Sequence, residues 1–249
     1  MKRIFGLVGF PLEHSWSKEF FDQKFESEGV DNYHYQNFPL EDIGSFRPLV
    51  EANPNIVGLN VTIPYKESII PFIDELDPTA RVVGAVNTIK IISNKREASL
   101  VGYNTDVIGF EQSLVNSGIS LKCRALVLGS GGASKAVRFV LDKLKYPHVV
   151  VSRNPKGENA LTYAKLTRQI ILEHRLIVNT TPLGMYPNVD SFPQIPYEVL
   201  TNNHVLFDLV YNPIETRFLQ MGRLAGSKTI NGLEMLHLQA LAAWEIWNA

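Results

Sequence analysis

Short apolar runs alternate with segments of helical periodicity along almost the whole chain. An apolar run that is bounded by glycine, proline or polar residues predicts a buried strand. The predicted strands span residues 3–9, 33–38, 55–63, 85–92, 99–104, 124–129, 148–154, 175–181 and 205–212. Strands that alternate with helices in this way are typical of the α/β class with mainly parallel sheets.

Apolar residues at helical spacing predict the helices between these strands. They cover residues 17–28, 40–52, 65–74, 106–117, a segment that begins at 134, 163–173 and 231–247. In the last helix, Asn231 is the predicted N-cap and Glu234 stands at capping-box spacing. The helix over 106–117 ends at Gly118 and connects to a second unit. In that unit, residues 155–174 have room for only one helix, so the crossover after the strand over 148–154 is shorter than usual.

The simplest arrangement of these elements is two α/β domains with a crevice between them. We predict a first domain from residues 1–105 and 232–249, with the final helix returning to it. The second domain, residues 106–231, is predicted to be Rossmann-like because a strand, a glycine loop and a helix follow one another after the helix over 106–117.

Composition and charge exclude several classes of function. The chain has 249 residues, 45% of them hydrophobic, and a formal net charge of −1. Because there is no basic excess, we expect no nucleic-acid partner and no membrane surface as partner. The apolar run at the N-terminus is interrupted by glycines and predicts a buried strand, and no stretch approaches the length of a membrane span. These features predict a cytoplasmic protein.

Cysteine and histidine usage predicts neither disulfides nor metal. Cys123 is the single cysteine, which excludes an intramolecular disulfide and a cysteine-rich zinc site. The six histidines are scattered without the spacing of metal ligands. We therefore expect no metal in the site.

The stretch "VLGSGGASKAVRF" (127–139) predicts a phosphate-binding loop. Glycines between a strand and a helix let the backbone approach a pyrophosphate, and the helix N-terminus offers free N–H groups. A glycine-rich turn that only packs a helix on a sheet is the alternative, but the strand on either side favours a dinucleotide. The candidate residues are Gly129, Ser130, Gly131, Gly132, Ala133 and Ser134.

The segment "SRNPK" after the next strand bears on the choice of cofactor. An NAD site usually has a carboxylate there for the ribose 2′-hydroxyl. This chain has Ser152, Arg153, Asn154 and Lys156 instead, and the two cations suit a 2′-phosphate. A solvated surface turn would explain the same residues, but beside a dinucleotide loop they favour NADP over NAD.

Polar residues in the first half fall near the ends of predicted strands. They are Ser15, Ser17, Asn60, Thr62, Lys66, Asn87, Asn104 and Asp106. Each one alone is explained equally well as a helix cap, a turn residue or a solvated side chain. Together they suit a small polyhydroxylated ligand, because loops at the carboxyl ends of parallel strands face one crevice.

A lysine and an aspartate in such a set suggest redox chemistry on an alcohol. A nicotinamide transfers the hydride, and the protein must then handle a proton at the substrate oxygen. Lys66 and Asp106 are the natural pair for that task. The residue types do not say which of the two is the base.

The motifs "HSWSK", "NVTIPYK", "GAVNT" and "NTD" resemble those of the shikimate dehydrogenase family, and the resemblance covers nearly the full chain. It implies that Ser15, Ser17 and Thr62 bind the substrate carboxylate, and that Lys66 and Asp106 are catalytic. It also implies that Asn60, Asn87, Tyr211 and Gln239 complete the substrate site. The implied reaction is the reversible, NADPH-dependent reduction of 3-dehydroshikimate to shikimate in aromatic amino-acid biosynthesis, by a monomer or a homodimer.

The second domain adds further similar segments. "GSGGASKA" and "SRN" resemble the family's phosphate loop and 2′-phosphate motif, and "NTTPLGMYP" resembles the segment near the nicotinamide. The resemblance implies cofactor contacts from Thr180, Met185, Gly232 and Met235. The sequence departs from the family at Lys18, Ser152, Lys156 and Glu234.

Other activities are compatible with much of this sequence. A dehydrogenase of quinate, an aminoshikimate or another polyol acid would share the fold and the lysine–aspartate pair. A methylene-tetrahydrofolate dehydrogenase is a further two-domain possibility, which the "HSWS" and "NTD" motifs do not suit. A non-catalytic dinucleotide sensor would need the glycine loop but neither Lys66 nor Asp106.

Overall fold

A computed structural model describes residues 2–12, 16–93, 98–119 and 123–249. The chain forms two compact units, Met1–Thr105 with Ala240–Ala249, and Asp106–Gln239. Residues 232–239, which the sequence analysis places in the first domain, thus group with the second unit. The reason is their packing: Glu234 accepts hydrogen bonds from Ser113 and Asn116, and Gly109 lies against the Met235 carbonyl.

The first unit is built on a six-stranded mixed sheet in the order β2-β1-β3-β5-β6-β4. Its strands are β1 Arg3–Gly9, β2 Tyr33–Pro39, β3 Ile56–Val61, β4 Glu75–Leu76, β5 Thr88–Ser93 and β6 Ala98–Tyr103. Its helices are α1 Trp16–Ser27, α2 Phe46–Ala52 and α3 Pro78–Val83, with 3₁₀ turns at Ile43–Ser45 and Ile70–Phe72. β1 pairs in parallel with β2 and β3, while β5 runs antiparallel to β3 and β6.

The core of the first unit lies on both faces of this sheet. One face packs aliphatic residues around Leu59 and Ile89, and the other is aromatic, with Phe5 and Phe21 against Trp247 from the last helix. A Cβ on Gly58 would lie 2.5 Å from the Trp247 ring. Only glycine at this position lets the indole lie against the strand.

The prediction of a helix over 65–74 is wrong. The segment is a series of turns that ends in the 3₁₀ turn Ile70–Phe72. Pro71 has no N–H, and its ring would clash with the Glu67 carbonyl in an α-helix. The short helix α3 follows instead, with the Asp77 side chain as its N-cap and Gly84 at φ +66° as its C-cap.

The second unit is built on a six-stranded sheet in the order β12-β11-β10-β7-β8-β9, and each neighbouring pair runs parallel. The strands are β7 Ala125–Leu128, β8 His148–Val151, β9 Ala160–Leu161, β10 Leu176–Asn179, β11 Val205–Asp208 and β12 Lys228–Ile230. The helices are α4 Asp106–Asn116, α5 Gly132–Lys143, α6 Arg168–Glu173, α7 Arg217–Leu224 and α8 Leu233–Asn248, whose last residues belong to the first unit. 3₁₀ turns lie at Tyr163–Lys165 and Tyr197–Val199.

These two sheets confirm the α/β class with mainly parallel strands and a Rossmann-like second unit. Three strands of the second unit end earlier than predicted, at Val151, Asn179 and Asp208. The residues beyond them lie in loops at the carboxyl edge of the sheet, where ligand sites of such folds are found. Within the described ranges, no helix is long and apolar enough to cross a membrane.

Candidate active site and dinucleotide site

The loop between β7 and α5 has the backbone of a phosphate-binding turn. Gly129 adopts φ +115°, and a Cβ on it would lie 2.5 Å from Thr180 Oγ1, so the position requires glycine. Gly131 is the N-cap residue of α5, in extended conformation. A Cβ on Gly131 would meet no described heavy atom within 4 Å, so this side of the loop is open to a ligand.

Ser134 has a structural role in the same loop. Its side chain is buried, and its hydroxyl donates a 2.8 Å hydrogen bond to the Gly129 carbonyl. This bond closes the turn and leaves the backbone around Ser130 and Gly131 exposed at the start of α5. The N–H groups at such a helix start suit an anion, because they lack partners within the helix.

The segment after β8 places two exposed cations at the carboxyl edge of the sheet. Arg153, Asn154 and Lys156 are exposed, whereas Ser152 is buried. The Ser152 Oγ has no hydrogen-bond partner among the described residues. A buried hydroxyl of this kind is costly unless a ligand or water satisfies it.

Thr180 and Met185, predicted to contact the cofactor, lie in the loop after β10, and Tyr211, predicted for the substrate site, lies in the loop after β11. Thr180 donates through Oγ1 to the Leu128 carbonyl at 2.7 Å, which ties its loop to the glycine loop. Met185 is partly exposed, and burial raises the pKa of the half-buried Tyr211 hydroxyl. Gly232 lies against the Leu209 carbonyl, which a Cβ would approach to 2.1 Å. Met235 is buried one helical turn further on.

Between these two loops lies a buried carboxylate that the sequence pattern did not predict. Asp208 is fully buried and accepts hydrogen bonds from Asn179 Nδ2 at 2.9 Å, the Val210 N–H at 3.0 Å and Thr216 Oγ1 at 2.6 Å. Burial raises its pKa to about 7, while these three hydrogen bonds act in the opposite direction. The sequence feature that indicates Asp208 is its position as the single charged residue in the otherwise apolar stretch "VLFDLV".

In the first unit, Asn60 is the centre of a buried polar network. Its Oδ1 accepts from the Tyr35 hydroxyl at 2.8 Å, and its Nδ2 lies 3.2 Å from Thr88 Oγ1. Tyr35 also has a hydrogen bond with Ser17, while burial raises the pKa of its phenol. Asn60 is only 5% exposed, so its amide holds neighbouring side chains in place.

Hydrogen bonds also hold the side-chain amides of Asn87 and Asn104 in place. The Asn87 amide bonds to Thr105, and Asn104 Nδ2 donates to the Ala85 carbonyl at 2.9 Å. The Lys66 carbonyl accepts from the Val86 N–H at 2.7 Å, so the backbone of Lys66 lies beside Asn87. These bonds bring Lys66 and Asn87 together at one end of the sheet.

The remaining predicted substrate residues are distributed over both units. Thr62 is half-buried and its methyl group packs against Gly9, while Ser15 lies outside the described residues. Asp106 opens α4 in the second unit and is 4% exposed. Gln239 closes that unit and donates through Nε2 to the Leu236 carbonyl at 3.0 Å.

Together these features define an α/β protein with a buried polar network in its first unit and a Rossmann-like, dinucleotide-binding second unit. The family model of the shikimate dehydrogenase substrate binding domain matches residues 7–89. The shikimate dehydrogenase (NADP(+)) of Methanococcus maripaludis strain C6 is 38% identical over 261 residues, which cover 98% of this chain and 91% of that protein. The chain therefore belongs to the shikimate dehydrogenase family.

Solved structures agree with this assignment. Shikimate dehydrogenase 1 from Peptoclostridium difficile is 37% identical, with a TM-score of 0.88 over 99% of this chain and 91% of that one. Shikimate 5-dehydrogenase from Thermus thermophilus, solved in complex with NADP(H) and shikimate, is 33% identical, with a TM-score of 0.86 over 98% and 93% of the two chains.

Proposed function

We propose that this protein catalyses the reversible, NADPH-dependent reduction of 3-dehydroshikimate to shikimate. The observation that carries the proposal is the 38% identity to a shikimate dehydrogenase (NADP(+)) over 98% of the chain, because it spans both units. The open face of the glycine loop and the residues around Lys66 supply the parts that this reaction needs.

The residues around the glycine loop fit a phosphorylated dinucleotide. Gly131 leaves room for the pyrophosphate against the start of α5, and the Ser152 hydroxyl is buried without a described partner. Arg153 and Lys156 offer positive charge at the position where an NAD site has a carboxylate. We therefore assign the cofactor as NADPH. When bound, it supplies the hydride.

The proposed substrate site has two parts. We assign the substrate carboxylate to Ser15, Ser17 and Thr62, because hydroxyl donors suit an anion. We assign the hydroxyl-bearing side of the ring to Asn87, Tyr211 and Gln239, which have both donors and acceptors, together with the catalytic pair. Since the amide of Asn60 is occupied by Tyr35 and Thr88, we assign Asn60 the task of positioning Thr88 and Asn87.

The proposed chemistry assigns the proton to Lys66 and Asp106. We assign the Lys66 ammonium the task of stabilising negative charge on the ketone oxygen during reduction and of donating a proton to that oxygen. We assign the carboxylate of Asp106 the task of accepting a hydrogen bond from a substrate hydroxyl. In the direction of shikimate oxidation, the pair removes the proton from the hydroxyl.

The remaining assignments concern the cellular location, the oligomeric state and the roles of the two domains. We propose that it acts in the cytoplasm, where NADPH is supplied, and as a monomer or a homodimer, since each chain carries both sets of residues. The domain roles follow the motifs. Residues 1–105 with 232–249 bind and transform the substrate, and residues 106–231 bind NADP.

The experiment that tests the function follows the loss of nicotinamide absorbance with NADPH and 3-dehydroshikimate. Parallel reactions contain NADH in place of NADPH, and NADP⁺ with shikimate or with quinate. We expect rapid turnover with NADPH and 3-dehydroshikimate, and with NADP⁺ and shikimate. Equal rates with NADH would contradict the assignment of Arg153 and Lys156. Turnover of quinate but not of shikimate would indicate that the substrate is a related polyol acid and not shikimate.

A further inference from the structure

We propose that Asp208 is a positioning residue that fixes the two loops carrying Thr180, Met185 and Tyr211 in one arrangement. The inference rests on the proposed function, in which these three residues contact cofactor and substrate. Asp208 itself is fully buried at the end of β11 and lies outside the set of residues assigned to ligands.

The carboxylate joins three separate stretches of chain. Oδ1 accepts from Asn179, the last residue of β10, and from the N–H of Val210, which precedes Tyr211. Oδ2 accepts from the hydroxyl of Thr216, the N-cap residue of α7. A change at this one side chain therefore reaches both loops and the start of a helix.

Asn179 extends the network into the loop that follows β10. Its Oδ1 accepts from the Thr181 N–H at 3.1 Å and from Thr181 Oγ1 at 2.6 Å, while its Nδ2 lies 3.3 Å from the Leu183 carbonyl. Gly184 follows at φ +91°, and a Cβ there would lie 3.1 Å from Thr216 Cβ. The path from Asp208 through Asn179 thus covers the segment between Thr180 and Met185.

All three partners donate a hydrogen bond to Asp208, and two of these donors, Asn179 Nδ2 and the Val210 N–H, have no other polarity available. Asn179 must present Nδ2 to Asp208 because its Oδ1 already accepts from a backbone N–H. The buried Thr216 hydroxyl accepts from the Leu219 N–H and donates its hydrogen to Oδ2 of Asp208. An ionised carboxylate accepts all three bonds, whereas an NH₂ group in place of Oδ2 would deprive the Thr216 hydroxyl hydrogen of this acceptor.

The test compares wild type with Asp208→Asn at pH 8, where the carboxylate is ionised because its pKa is about 7. We expect kcat to fall by roughly 10- to 100-fold, because misplacing reacting groups by about 1 Å has effects of this size. The dissociation constant of NADPH, measured by calorimetry, should change less than kcat, because the glycine loop and the 2′-phosphate residues are untouched and only the contacts from Thr180 and Met185 are displaced. An unchanged kcat in a folded Asp208→Asn protein would overturn the proposal.

A second pair of variants covers the case in which Asp208→Asn does not fold. Thr216→Val removes the hydroxyl that donates to Asp208, and Thr216→Ser retains it. We expect Thr216→Ser to recover most of the kcat that Thr216→Val loses. The matched control is Thr201→Val, because Thr201 bonds to His204 just before the opposite end of β11. Equal loss of kcat in Thr216→Val and Thr201→Val would indicate general destabilisation and overturn the positioning role.

A measurement that does not depend on turnover tests the role of Asp208 independently of the proposed function. Hydrogen exchange followed by mass spectrometry should show faster exchange in Asp208→Asn for residues 180–187 and 209–216, with β7 and β10 still protected. Faster exchange over the whole sheet would contradict the proposal. If wild type turns over no candidate substrate, the proposed function fails, and the exchange pattern still decides whether Asp208 fixes these loops.

Discussion

The side chain of Asn87 is clamped by Thr105. Asn87 Oδ1 accepts from the Thr105 backbone N–H at 2.7 Å and from its hydroxyl at 3.1 Å, and Asn87 Nδ2 lies 2.9 Å from the same Thr105 oxygen. Both residues are buried, and the Thr88 hydroxyl lies 3.1 Å from Thr105 Oγ1. The predicted substrate amide is therefore oriented by the residue that directly precedes Asp106.

Replacing Thr105 by valine should weaken both the fold and the reaction. Thr105→Val keeps the shape but removes the hydroxyl that contacts Asn87 and Thr88. We expect a loss of about 1–3 kcal/mol in the free energy of unfolding, since a buried polar partner is deprived of its bond. Urea denaturation measures this loss. Thr105→Ser retains the hydroxyl and should restore stability and kcat. A serine variant no better than the valine variant would contradict this clamp.

Lys66→Ala tests the proposed proton transfer. Removing the ammonium should lower kcat by roughly 10²- to 10⁴-fold, the usual size of general acid–base contributions. NADPH binding, measured by calorimetry, should remain, because the cofactor residues lie in the second unit. Lys90→Ala, on β5, serves as the control and should keep wild-type turnover. Undiminished turnover in Lys66→Ala would remove Lys66 from the mechanism.

Arg153→Ala tests the choice of cofactor. Arg153 is exposed after β8, and we assign it to the 2′-phosphate. The KM for NADPH should rise by about tenfold or more while the KM for NADH stays the same, because a charge-assisted hydrogen bond is worth about 1.5–3 kcal/mol. Arg124→Ala, just before the opposite end of the same sheet, is the matched control and should alter neither value. A parallel rise in both KM values would argue against a 2′-phosphate contact.

The two loop glycines should respond differently to alanine. Gly129→Ala places a Cβ 2.5 Å from Thr180 Oγ1 at φ +115°, so we expect lower stability, by about 1–3 kcal/mol. Gly131→Ala meets no described atom within 4 Å and should unfold like wild type. Its Cβ would occupy the side of the loop assigned to the pyrophosphate, so affinity for NADPH should fall. Normal affinity in Gly131→Ala would place the pyrophosphate elsewhere.

His174 should make the stability depend on pH. Burial lowers its pKa from the ordinary value of 6.5, and its Nδ1 lies 2.7 Å from the Ile170 carbonyl. Below pH 6.5 the unfolded chain binds a proton that the folded chain resists, so the contribution of His174 to the free energy of unfolding falls as the pH falls.

Denaturation midpoints between about pH 7.5 and about pH 5 measure this effect. His174→Asn keeps a donor for the Ile170 carbonyl but cannot take up a proton, so its stability should decline less with acid than that of wild type. Identical pH profiles for the two proteins would show that His174 is not the group responsible.

Local sequence determined the elements that depend on near neighbours. The glycine loop, the helix that ends at Gly118 and the parallel second sheet are all predictable from periodicity and glycine positions, because φ > 0 and side-chain alternation are local constraints. The helix predicted over 65–74 failed for an equally local reason, since Pro71 forbids it. Asn231 does accept from the Leu233 N–H, but Glu234 bonds to Ser113 and Asn116 instead of completing a capping box.

Tertiary structure alone decided which polar side chains meet. Asp208 and Asn179 are 29 residues apart, and Asn87 and Thr105 are 18 apart, yet each pair forms a buried hydrogen bond. β11 lies beside β10, and β10 beside β7, so the sheet brings together strand ends that are distant along the chain. A buried polar group must find a partner there. The residue types indicated the chemistry, and the order of the strands decided which buried groups hold the functional side chains in place.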